Sequence, residues 1–504
     1  MIATVPSATL LGVRGRAVSV EVHVSNGLPA FTVVGLPDAS CREARDRVRA
    51  ALLSSGLSWP LKRVTVNLAP SGLRKAGSQL DLAIAIALLV AEGQLHPDQV
   101  RGMAFVGELG LDGTIRAVAG TVPLVHALGS PTVVVAARSV HEAQLVGGGK
   151  ARAATDLAGL VAALRGEAPW PDPPPPPALD IENHEPDLAD VRGQPMARLA
   201  LELAAAGGHH LLMVGPPGAG KTMLARRLPP LLPDLDPDDA LDATMVHSAA
   251  GLGLRCGLVR RPPFRAPHHG ASPVSLTGGG SAMMRPGEVS LAHHGVLFLD
   301  ELGEFQASVI DALRQPLEEG VIRVSRAVGT VTFPAQVLLV AAMNPCPCGR
   351  GSAPGSCACS DAARARYHRR VSGPILDRFD LRVDVAAPEV DHLIGGEPGE
   401  STEAVRARVV AARERARARG VRCNAELAAE RLDEVAPLSS GAAELLEDTL
   451  RAGRLTGRGL HRIRRLALTL ADRADRGGPI EVRDVALALQ LRAVPASFET
   501  PAVV

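Results

Sequence analysis

The stretch Leu211-Leu212-Met213-Val214-Gly215-Pro216-Pro217-Gly218-Ala219-Gly220-Lys221-Thr222 decides the fold of this 504-residue chain. An apolar run ends in a glycine-rich turn of the form G-x-x-x-x-G-K-T, and a helix over Met223 to Leu228 is predicted to follow. The glycines allow main-chain N–H groups to curl around phosphate groups. Lys221 can place its charge on the β- and γ-phosphates, and Thr222 can ligate Mg²⁺. The sequence therefore predicts an α/β domain that binds a nucleoside triphosphate through Gly215 to Thr222.

Two further apolar runs end in polar residues. Val296 to Leu299 precedes Asp300 and Glu301, and Val337 to Ala342 leads to Asn344. This pattern is typical of buried parallel strands that carry chemistry at their carboxyl ends. Asp300 is suited to hold hydrated Mg²⁺, and Glu301 to polarise the attacking water. Asn344 could orient that water, the alternative being a turn-forming asparagine before a proline.

Composition and charge exclude several classes of protein. Hydrophobic residues make up 46% of the chain and aromatic residues only 2%, which indicates aliphatic α/β cores. With 54 Lys and Arg against 53 Asp and Glu, no global charge attracts nucleic acid or membrane. No run is long and apolar enough to span a membrane, and the N-terminus has no signal pattern, so we expect a cytoplasmic protein.

A proline-rich stretch, PDPPPPP at 171–177, divides the chain. Such a stretch forms neither helix nor central strand and predicts a stiff, extended spacer. Before it, we predict strands over 17–24 and 63–68 and helices over 80–92 and 122–128. From about Ser401 onward, Ala, Arg, Glu and Leu recur at helical spacing. We therefore expect an N-terminal α/β domain over 1–168, a linker over 169–185, a nucleotide-binding core over 186–390 and a helical domain over 391–504.

A long block of sequence carries a family resemblance. The stretch PFRAPHHGASPVSLTGGGSAMMRPGEVSLAHHGVLFLDELGEF at 263–305 continues through AAMNPCPCG at 341–349 to SGPILDRFDLRVDV at 372–385. These segments resemble the magnesium-chelatase-like AAA+ ATPases of the ComM type, also called YifB, and the resemblance covers essentially the whole chain. It implies an AAA+ core, with a parallel sheet and helices on both faces, and a helical C-terminal lid. ATP and Mg²⁺ are the implied cofactors, and the implied assembly is a homo-hexamer.

The resemblance also implies roles for residues outside the loop. It makes Asn344 the sensor-1 residue and Arg378 the arginine finger that reaches a neighbouring subunit's ATP, where its charge would act on the transferring phosphoryl group. Pairing of Arg378 with an adjacent acid on the surface is the alternative. Arg458 is the implied sensor-2 arginine, with Arg462 one helical turn later as the other candidate.

The N-terminal part is similar to a second family. Segments 74–82 and 105–120 resemble the Lon-type protease fold. The chain departs from that family at its catalytic residues, because Gln79 stands at the nucleophile position, Ser78 lies one position away, and Val122 stands where the base lysine belongs. A serine without a base is an ordinary hydroxyl. We expect a Lon-like domain without peptidase activity, with a Ser78 and Lys75 dyad as the alternative.

Four of the seven cysteines form two close pairs. They are Cys346, Cys348, Cys357 and Cys359. Four thiolates on a glycine-containing loop could bind Zn²⁺ tetrahedrally, and a redox pair or buried thiols are the alternatives. We expect Cys41, Cys256 and Cys423 to be packing residues.

Histidine doublets and basic segments complete the set of candidate residues. His268-His269 and His293-His294 are interpreted as structural histidines, with metal binding as the alternative. Segment 264–286 resembles the helix-2 insertion of chelatase-type proteins, which can face a central pore. Segment 321–333 predicts a β-hairpin that carries Arg323 and Arg326, suited to phosphate backbones or simply solvated. Arginines in segments 364–370 and 406–422 are further candidates for phosphate contact.

The family resemblance implies a specific function. It implies an ATP-driven hexameric helicase that migrates branched DNA during homologous recombination in natural transformation. Its partners would be single-stranded or branched DNA, bound independently of sequence, and recombination proteins. The alternative is a chelatase-type remodeller that inserts metal into a tetrapyrrole or activates a protein partner. The Lon-like domain and the cysteine quartet are not expected in a minimal chelatase motor.

Overall fold

The computed structural model describes a large part of the chain. The described residues are 1–129, 131–148, 150–175, 185–254, 257–280, 284–326, 329–350, 357–371, 373–387, 389, 391 and 397–493. Cys256 and the last two residues of the proline-rich stretch, 176 and 177, lie outside them, as does the side chain of Arg326. Within the described residues, no helix has the length and apolar character needed to cross a membrane.

The N-terminal region begins with a four-stranded sheet in the order β1-β2-β4-β3. Its elements are β1 (Ile2–Leu11), β2 (Arg14–Ser25), β3 (Ala30–Val34), α1 (Ala39–Ser54), β4 (Arg63–Ala69) and α2 (Asp81–Ala91). Alternate valines of β2, from Val18 to Val24, are buried, as expected for a strand with one face on a core. Helix α2 is buried along its whole length because nearly all of its residues are apolar. The strands and helices predicted in this region are confirmed.

A second group of elements completes the N-terminal region. It comprises β5 (Met103–Val106), β6 (Glu108–Leu109), β7 (Ile115–Arg116), α3 (Thr121–Leu128), β8 (Thr132–Ala136), α4 (Val140–Gly147), β9 (Ala151–Ala154) and α5 (Leu157–Arg165). Strands β5, β8 and β9 are parallel neighbours, and β6 pairs with β7 in an antiparallel ribbon.

The core is a five-stranded parallel sheet. Its elements in chain order, with a separate hairpin (β13 and β14), are α6 (Pro195–Gly207), β10 (Leu211–Val214), α7 (Lys221–Ala225), α8 (Pro237–Ala249), β11 (Phe264–Arg265), α9 (Pro273–Thr277), α10 (Glu288–Leu291), β12 (Val296–Leu299), α11 (Ala307–Ala312), α12 (Arg314–Glu319), β13 (Val321–Arg326), β14 (Gly329–Pro334), β15 (Leu338–Met343), α13 (Asp361–Arg370), α14 (Gly373–Leu376) and β16 (Leu381–Asp384). The strand order is β11-β12-β15-β10-β16. In such a sheet, ligands bind outside the carboxyl ends of the strands.

The last part of the described chain is helical, as predicted. It contains α15 (Thr402–Ala418), α16 (Leu432–Val435), α17 (Ser440–Arg451), α18 (Gly457–Arg473) and α19 (Val482–Arg492). Short 3₁₀ helices occur along the chain at Pro97–Val100, Ala137–Ser139, Leu188–Asp190, Pro229–Leu231, Leu302–Glu304, Asn424–Glu426 and Ala429–Arg431. Helices α15 and α18 pack on α6 through one apolar cluster that continues into the sheet.

The N-terminal region docks on the core at two places. Gly12, in the turn between β1 and β2, has a φ of +65°, and a Cβ there would clash with the Val331 side chain on the hairpin. Val13 is buried in the same apolar cluster as Val331. The Gly120 N–H donates to the Ser248 carbonyl at 2.8 Å, at the end of α8. The two regions are therefore joined by packing as well as by the linker.

One predicted helix is displaced relative to the structure. The helix after the glycine-rich turn spans Lys221–Ala225 rather than 223–228, and a 3₁₀ turn, Pro229–Leu231, follows. Prolines at 229 and 230 cannot supply the N–H groups that would extend an α-helix. The predicted hairpin is confirmed, with Val324 opposite Val331, and its turn residues 327–328 lie outside the described chain.

Candidate nucleotide-binding site

The glycine-rich loop leaves the carboxyl end of β10 and enters α7. Gly218 and Gly220 have φ values of +78° and +90°, a region that favours glycine. A Cβ on Gly215 would clash with the carbonyl oxygen of Val385, the residue that follows β16. The glycine therefore permits the loop to pass close to this segment of the backbone. The sequence pattern thus has its required structural context, between a strand and a helix.

Lys221 is buried and lies across the mouth of this loop. Its Nζ donates to the carbonyl oxygens of Gly215 at 2.6 Å and Pro216 at 2.9 Å, and to Oδ1 of Asn344 at 3.2 Å. Burial lowers the pKa of Lys221, while the charges of Asp300 and Glu301 act to raise it. The loop lysine, the acids after β12 and the amide after β15 therefore share one site, as the sequence predicted.

Thr222 and Asp300 form the oxygen-rich part of the site. The Thr222 hydroxyl donates to Oδ2 of Asp300 at 2.7 Å, and Oδ1 of Asp300 accepts the main-chain N–H of Glu301 at 2.9 Å. A hydroxyl and a carboxylate that already touch are the oxygen ligands that Mg²⁺ prefers. This donor set fits the predicted metal–nucleotide site.

Glu301 has an unusual backbone and an unexpected partner. Its φ is +53°, in the left-handed region, and its side chain is about half exposed. Its Oε2 lies 3.1 Å from Nδ1 of His269, whose ring lies tilted against that of His268 with centroids 4.0 Å apart and meets Phe305 edge-on at 6.5 Å. The interpretation of this histidine doublet as purely structural missed the contact with Glu301. A strained non-glycine residue at such a point is a common feature of functional sites.

Arg378 lies at the opposite end of the sheet. It precedes β16, where the Leu381 N–H donates to the His210 carbonyl before β10 begins. Strand β10 separates this end from Gly215, and four residues of strand span roughly 13 Å. The Arg378 guanidinium pairs with Glu318, an acid that the sequence analysis did not consider. The structure therefore does not bring Arg378 to the loop of its own chain.

The two sensor-2 candidates differ in their surroundings. Arg462 donates to Oδ1 of Asp380 at 2.6 Å and to the Arg378 carbonyl at 2.9 Å. Burial alone would raise the pKa of Asp380, but the His209 hydrogen bond and the Arg462 charge hold it well below its ordinary value. Arg458, at the start of α18, is exposed and makes no hydrogen bond or ion pair among the described residues. It is close enough to Arg378 to lower that residue's pKa, although burial and Arg462 lower it more.

A cavity of about 650 Å³ opens at this amino end of the sheet. Arg378, Arg462 and Arg465 line it together with Glu318 and Asp380. It is far from the glycine-rich loop, so it is not the chain's own phosphate site.

The cysteine quartet is a single cluster. The Sγ atoms of Cys346 and Cys348 are 3.3 Å apart, those of Cys348 and Cys357 are 3.7 Å apart, and those of Cys357 and Cys346 are 3.5 Å apart. All four sulfurs, including that of Cys359, lie within 4.8 Å of one another. The Arg350 N–H and the neighbouring thiols lower the pKa of Cys348 to about 6. Residues 351–356, between the two pairs, lie outside the described chain.

The second histidine doublet has its own partners. The Gln336 N–H donates to Nδ1 of His293 at 3.1 Å, and Arg422 donates to Nδ1 of His294 at 2.8 Å. The fold brings Asp242 within 4.8 Å of both rings, a carboxylate that no spacing in the sequence had indicated. Because the cationic Arg422 occupies one ring nitrogen, the arrangement favours structural histidines over a metal site.

The proposed dyad of the N-terminal region is not assembled. Lys75 is fully buried and donates to the Pro70 carbonyl, and the Ser78 hydroxyl donates to the Glu108 carboxylate. Burial lowers the pKa of Lys75. Gln79 donates to Thr9 at 3.2 Å. Serine and lysine thus have separate partners in the described chain, which weakens the dyad alternative.

The two basic segments differ in how their charges are used. All seven arginines of 406–422 make ion pairs or carbonyl hydrogen bonds, with Asp234, Glu202, Glu400, Ala205, Asp475, Asp236, Asp472 and Glu426 among their partners. On α13, Arg364 pairs with Asp361 and Arg370 with Glu304. Arg366 and Arg369 are exposed and make no hydrogen bond or ion pair within the described residues. Among the residues that the structure describes, α13 therefore offers cations without acidic partners, and the segment 406–422 does not.

Comparison with known proteins places the chain in a family. The profile described as "Magnesium chelatase, subunit ChlI" matches residues 187–393, "Subunit ChlI of Mg-chelatase" matches 20–138, and "Magnesium chelatase, subunit ChlI C-terminal" matches 399–492. The chain is 45% identical to an uncharacterized protein of Mycobacterium tuberculosis over 96% of this chain and 97% of that protein.

Two further relatives carry names. The chain is 43% identical to "Uncharacterized protein YifB" of Escherichia coli, covering 92% of this chain and 91% of that one. It is 42% identical to "Competence protein ComM" of Haemophilus influenzae, covering 94% of each. These matches confirm the resemblance found in the sequence and indicate ATPase activity with ATP and Mg²⁺. The chain belongs to the AAA+-type magnesium chelatase subunit ChlI family, together with YifB and ComM.

Proposed function

We propose that this chain is an ATP-driven hexameric DNA motor of the cytoplasm, which migrates branched DNA during homologous recombination in natural transformation. Its similarity to "Competence protein ComM" along 94% of both chains supports the biological role. The single observation that best supports a motor with shared sites is that Lys221 and Arg378 lie at opposite ends of the parallel sheet.

This separation favours an assembly with shared sites. An arginine at the amino ends of the strands can act on phosphate only at the loop of another copy. Contacts that join one end of a subunit to the other end of the next are heterologous, and they close into a ring when the rotation allows. We assign Arg378 and Arg458 to the nucleotide bound by the neighbouring subunit. Arg462 has a positioning role, because it donates a hydrogen bond to Asp380 beside them.

The residues of the chain's own loop divide the work of hydrolysis. Lys221 and the main-chain N–H groups of 215–220 bind the phosphates. Thr222 and Asp300 would hold Mg²⁺, which supplies neutralising charge to the phosphates when bound. Glu301 polarises the attacking water, and Asn344, which contacts Lys221 at 3.2 Å, orients it.

The domain roles follow from this scheme. Residues 1–168 form a Lon-like domain without peptidase activity, 169–185 a linker, 186–390 the AAA+ core and 391–504 a helical lid. The cofactors we propose are ATP and Mg²⁺, with Zn²⁺ at the quartet of Cys346, Cys348, Cys357 and Cys359. Recombination proteins would be further partners.

DNA contact is proposed for two cationic elements. Arg323 lies on the β13–β14 hairpin, where its partner is Glu319, so DNA phosphate would replace that acid, and a ring of six hairpins would line the channel with these arginines. Arg366 and Arg369 on α13 lack acidic partners in the described chain. Contacts of this kind bind the phosphate backbone without choosing a sequence.

The test is ATP turnover with and without single-stranded or branched DNA at low salt. We expect DNA to stimulate the wild type, and Lys221→Ala to be inactive under every condition. The double variant Arg366→Ala/Arg369→Ala should lose most of the stimulation but keep the basal rate. Arg49→Ala, an exposed arginine on α1, is the matched control and should behave like the wild type. Absence of both DNA binding and stimulation would move the assignment to the chelatase-type remodeller, which acts on a protein or in metal insertion.

A further inference from the structure

The sulfur cluster has the dimensions of a four-thiolate metal site. With Zn–S bonds of about 2.3 Å, the edges of a regular tetrahedron of sulfurs are about 3.8 Å long. The three pairs formed by Cys346, Cys348 and Cys357 are separated by 3.3, 3.5 and 3.7 Å. The distances fit a shared tetrahedral ion, and all four thiols are free of disulfide bonds.

Burial of the four residues argues against a simple apolar core. Cys346 is buried, Cys357 and Cys359 are half-buried, and Cys348 is exposed. Packing thiols are normally fully buried, as Cys41 and Cys423 are. A metal site explains why a partly exposed group of cysteines is drawn together.

The segment that carries the cluster contacts the glycine-rich loop and directly continues the segment of Asn344, which follows β15. Cys346 follows Asn344 by two residues. Gly349 packs on the loop so closely that a Cβ would lie 2.7 Å from Cδ of Pro217. The segment of the quartet is therefore adjacent to both motifs.

The helix after the quartet reaches the third motif. His368 on α13 contacts the Pro345 carbonyl at 2.9 Å. Tyr367 is buried against Gly303, where a Cβ would clash with the phenol ring, and Arg370 donates to the Gly303 carbonyl at 3.0 Å. Gly303 lies two residues beyond Glu301. Quartet and helix together thus contact the three segments that carry Lys221, Glu301 and Asn344.

We propose that Zn²⁺ bound by Cys346, Cys348, Cys357 and Cys359 clamps this segment onto the three loops, so that the metal holds the nucleotide site in its working arrangement. The effect on turnover rests on the proposed ATPase function, whereas the metal site does not. Metal binding of this kind contributes folding free energy to the segment around it.

The experiment measures bound metal in the purified full-length chain by mass spectrometry, before any nucleotide is added. We expect one zinc per chain in the wild type and none in Cys348→Ser/Cys357→Ser. Cys348→His, which supplies another zinc ligand at the exposed corner, should retain the metal. Cys41→Ala, a buried cysteine of the N-terminal region, should keep both zinc and turnover.

Measurement of ATP turnover distinguishes a zinc ion that supports the nucleotide site from one that has no effect on it. We expect the metal-free variant to lose about tenfold in kcat with its circular dichroism spectrum unchanged, and Cys348→His to recover most of that loss. If the wild type hydrolyses ATP but carries no zinc, or carries iron, the zinc clamp is overturned and the proposed ATPase function is not. A wild type that carries zinc but never hydrolyses ATP overturns the proposed function and leaves the metal site standing. Unchanged kcat after zinc loss overturns the clamp.

Discussion

His269 and Glu301, which follow two adjacent strands, face each other with Nδ1 of the histidine 3.1 Å from Oε2 of the glutamate. Strands β11 and β12 are parallel, with Phe264 opposite Val296. His269 lies four residues beyond β11, and Glu301 lies two beyond β12. The carboxyl ends of neighbouring parallel strands meet at one edge of the sheet. The acid assigned to polarise water is therefore held by a side chain from the loop that follows the adjacent strand.

Removal of this contact should slow the chemical step. We expect His269→Ala to lower kcat roughly tenfold with little change in KM, because Glu301 loses a group that orients its carboxylate. Steady-state ATPase kinetics measure both constants. His268→Ala removes the neighbouring ring, which lies against His269, and should have a smaller effect. Equal losses in the two variants would show that the doublet matters only as a packed unit.

Mixing of two inactive variants tests whether the site is shared. Glu301→Gln should bind ATP but lower turnover at least about 100-fold, and Arg378→Ala should lose about 1,000-fold. A Glu301→Gln subunit still offers Arg378, and an Arg378→Ala subunit still offers Glu301. ATP turnover of mixed, reassembled protein should therefore exceed the sum of the separate rates. No recovery at any ratio would place Arg378 in a structural role, paired with Glu318.

The contact between the N-terminal region and the hairpin predicts a stability effect. Gly12→Ala adds a Cβ that clashes with Val331 and should lower the free energy of unfolding by about 1–3 kcal/mol. Gly56→Ala is the matched control, since Gly56 has a φ of +71° with nothing within 4 Å of its Cβ position. It isolates the cost of backbone strain. Thermal denaturation of both variants measures the difference. A Gly12→Ala protein as stable as Gly56→Ala would mean that the contact contributes little.

The buried histidine doublet predicts a loss of stability in mild acid. Burial lowers the pKa of His293 to about 3 and that of His294 to about 4, with Arg422 and, for His293, the neighbouring ring adding to the effect. In the unfolded chain both titrate near 6.5, so the unfolded state binds more protons below that pH. Stability should therefore fall as the pH drops from about 6.5 towards 4, by up to about 1.4 kcal/mol per unit for each ring.

Denaturant titrations between pH 7 and pH 5 measure this slope. The variant His293→Asn should reduce it, because the asparagine does not titrate. A wild-type slope of zero over this range would contradict neutral, buried rings.

The local part of the site could be predicted from the sequence. The pattern from Gly215 to Thr222 and the acids after Leu299 specify chemistry by residue type and by position at a strand end. For such motifs the backbone arrangement follows from a few neighbouring residues. The structure accordingly brings Lys221, Thr222, Asp300 and Asn344 together.

Contacts between distant segments could not be predicted in this way. The approach of His269 to Glu301 depends on which strand pairs with β12, and hydrophobic patterns do not reveal strand order. The pairing of Arg378 with Glu318 depends on how α12 packs. The contact of Gly12 with Val331 depends on how the N-terminal region docks on the core. Each is a property of the assembled fold rather than of a local pattern.

The most direct test of the whole account is Mg²⁺-dependent binding and hydrolysis of ATP by the purified chain, beside Lys221→Ala. Lys221 is held by Gly215, Pro216 and Asn344, so its removal empties the centre of the loop. We expect the wild type to bind and turn over ATP only with magnesium, and Lys221→Ala to lose both activities with its fold intact. A wild type that neither binds nor cleaves ATP, or a Lys221→Ala variant with full turnover, would contradict the account.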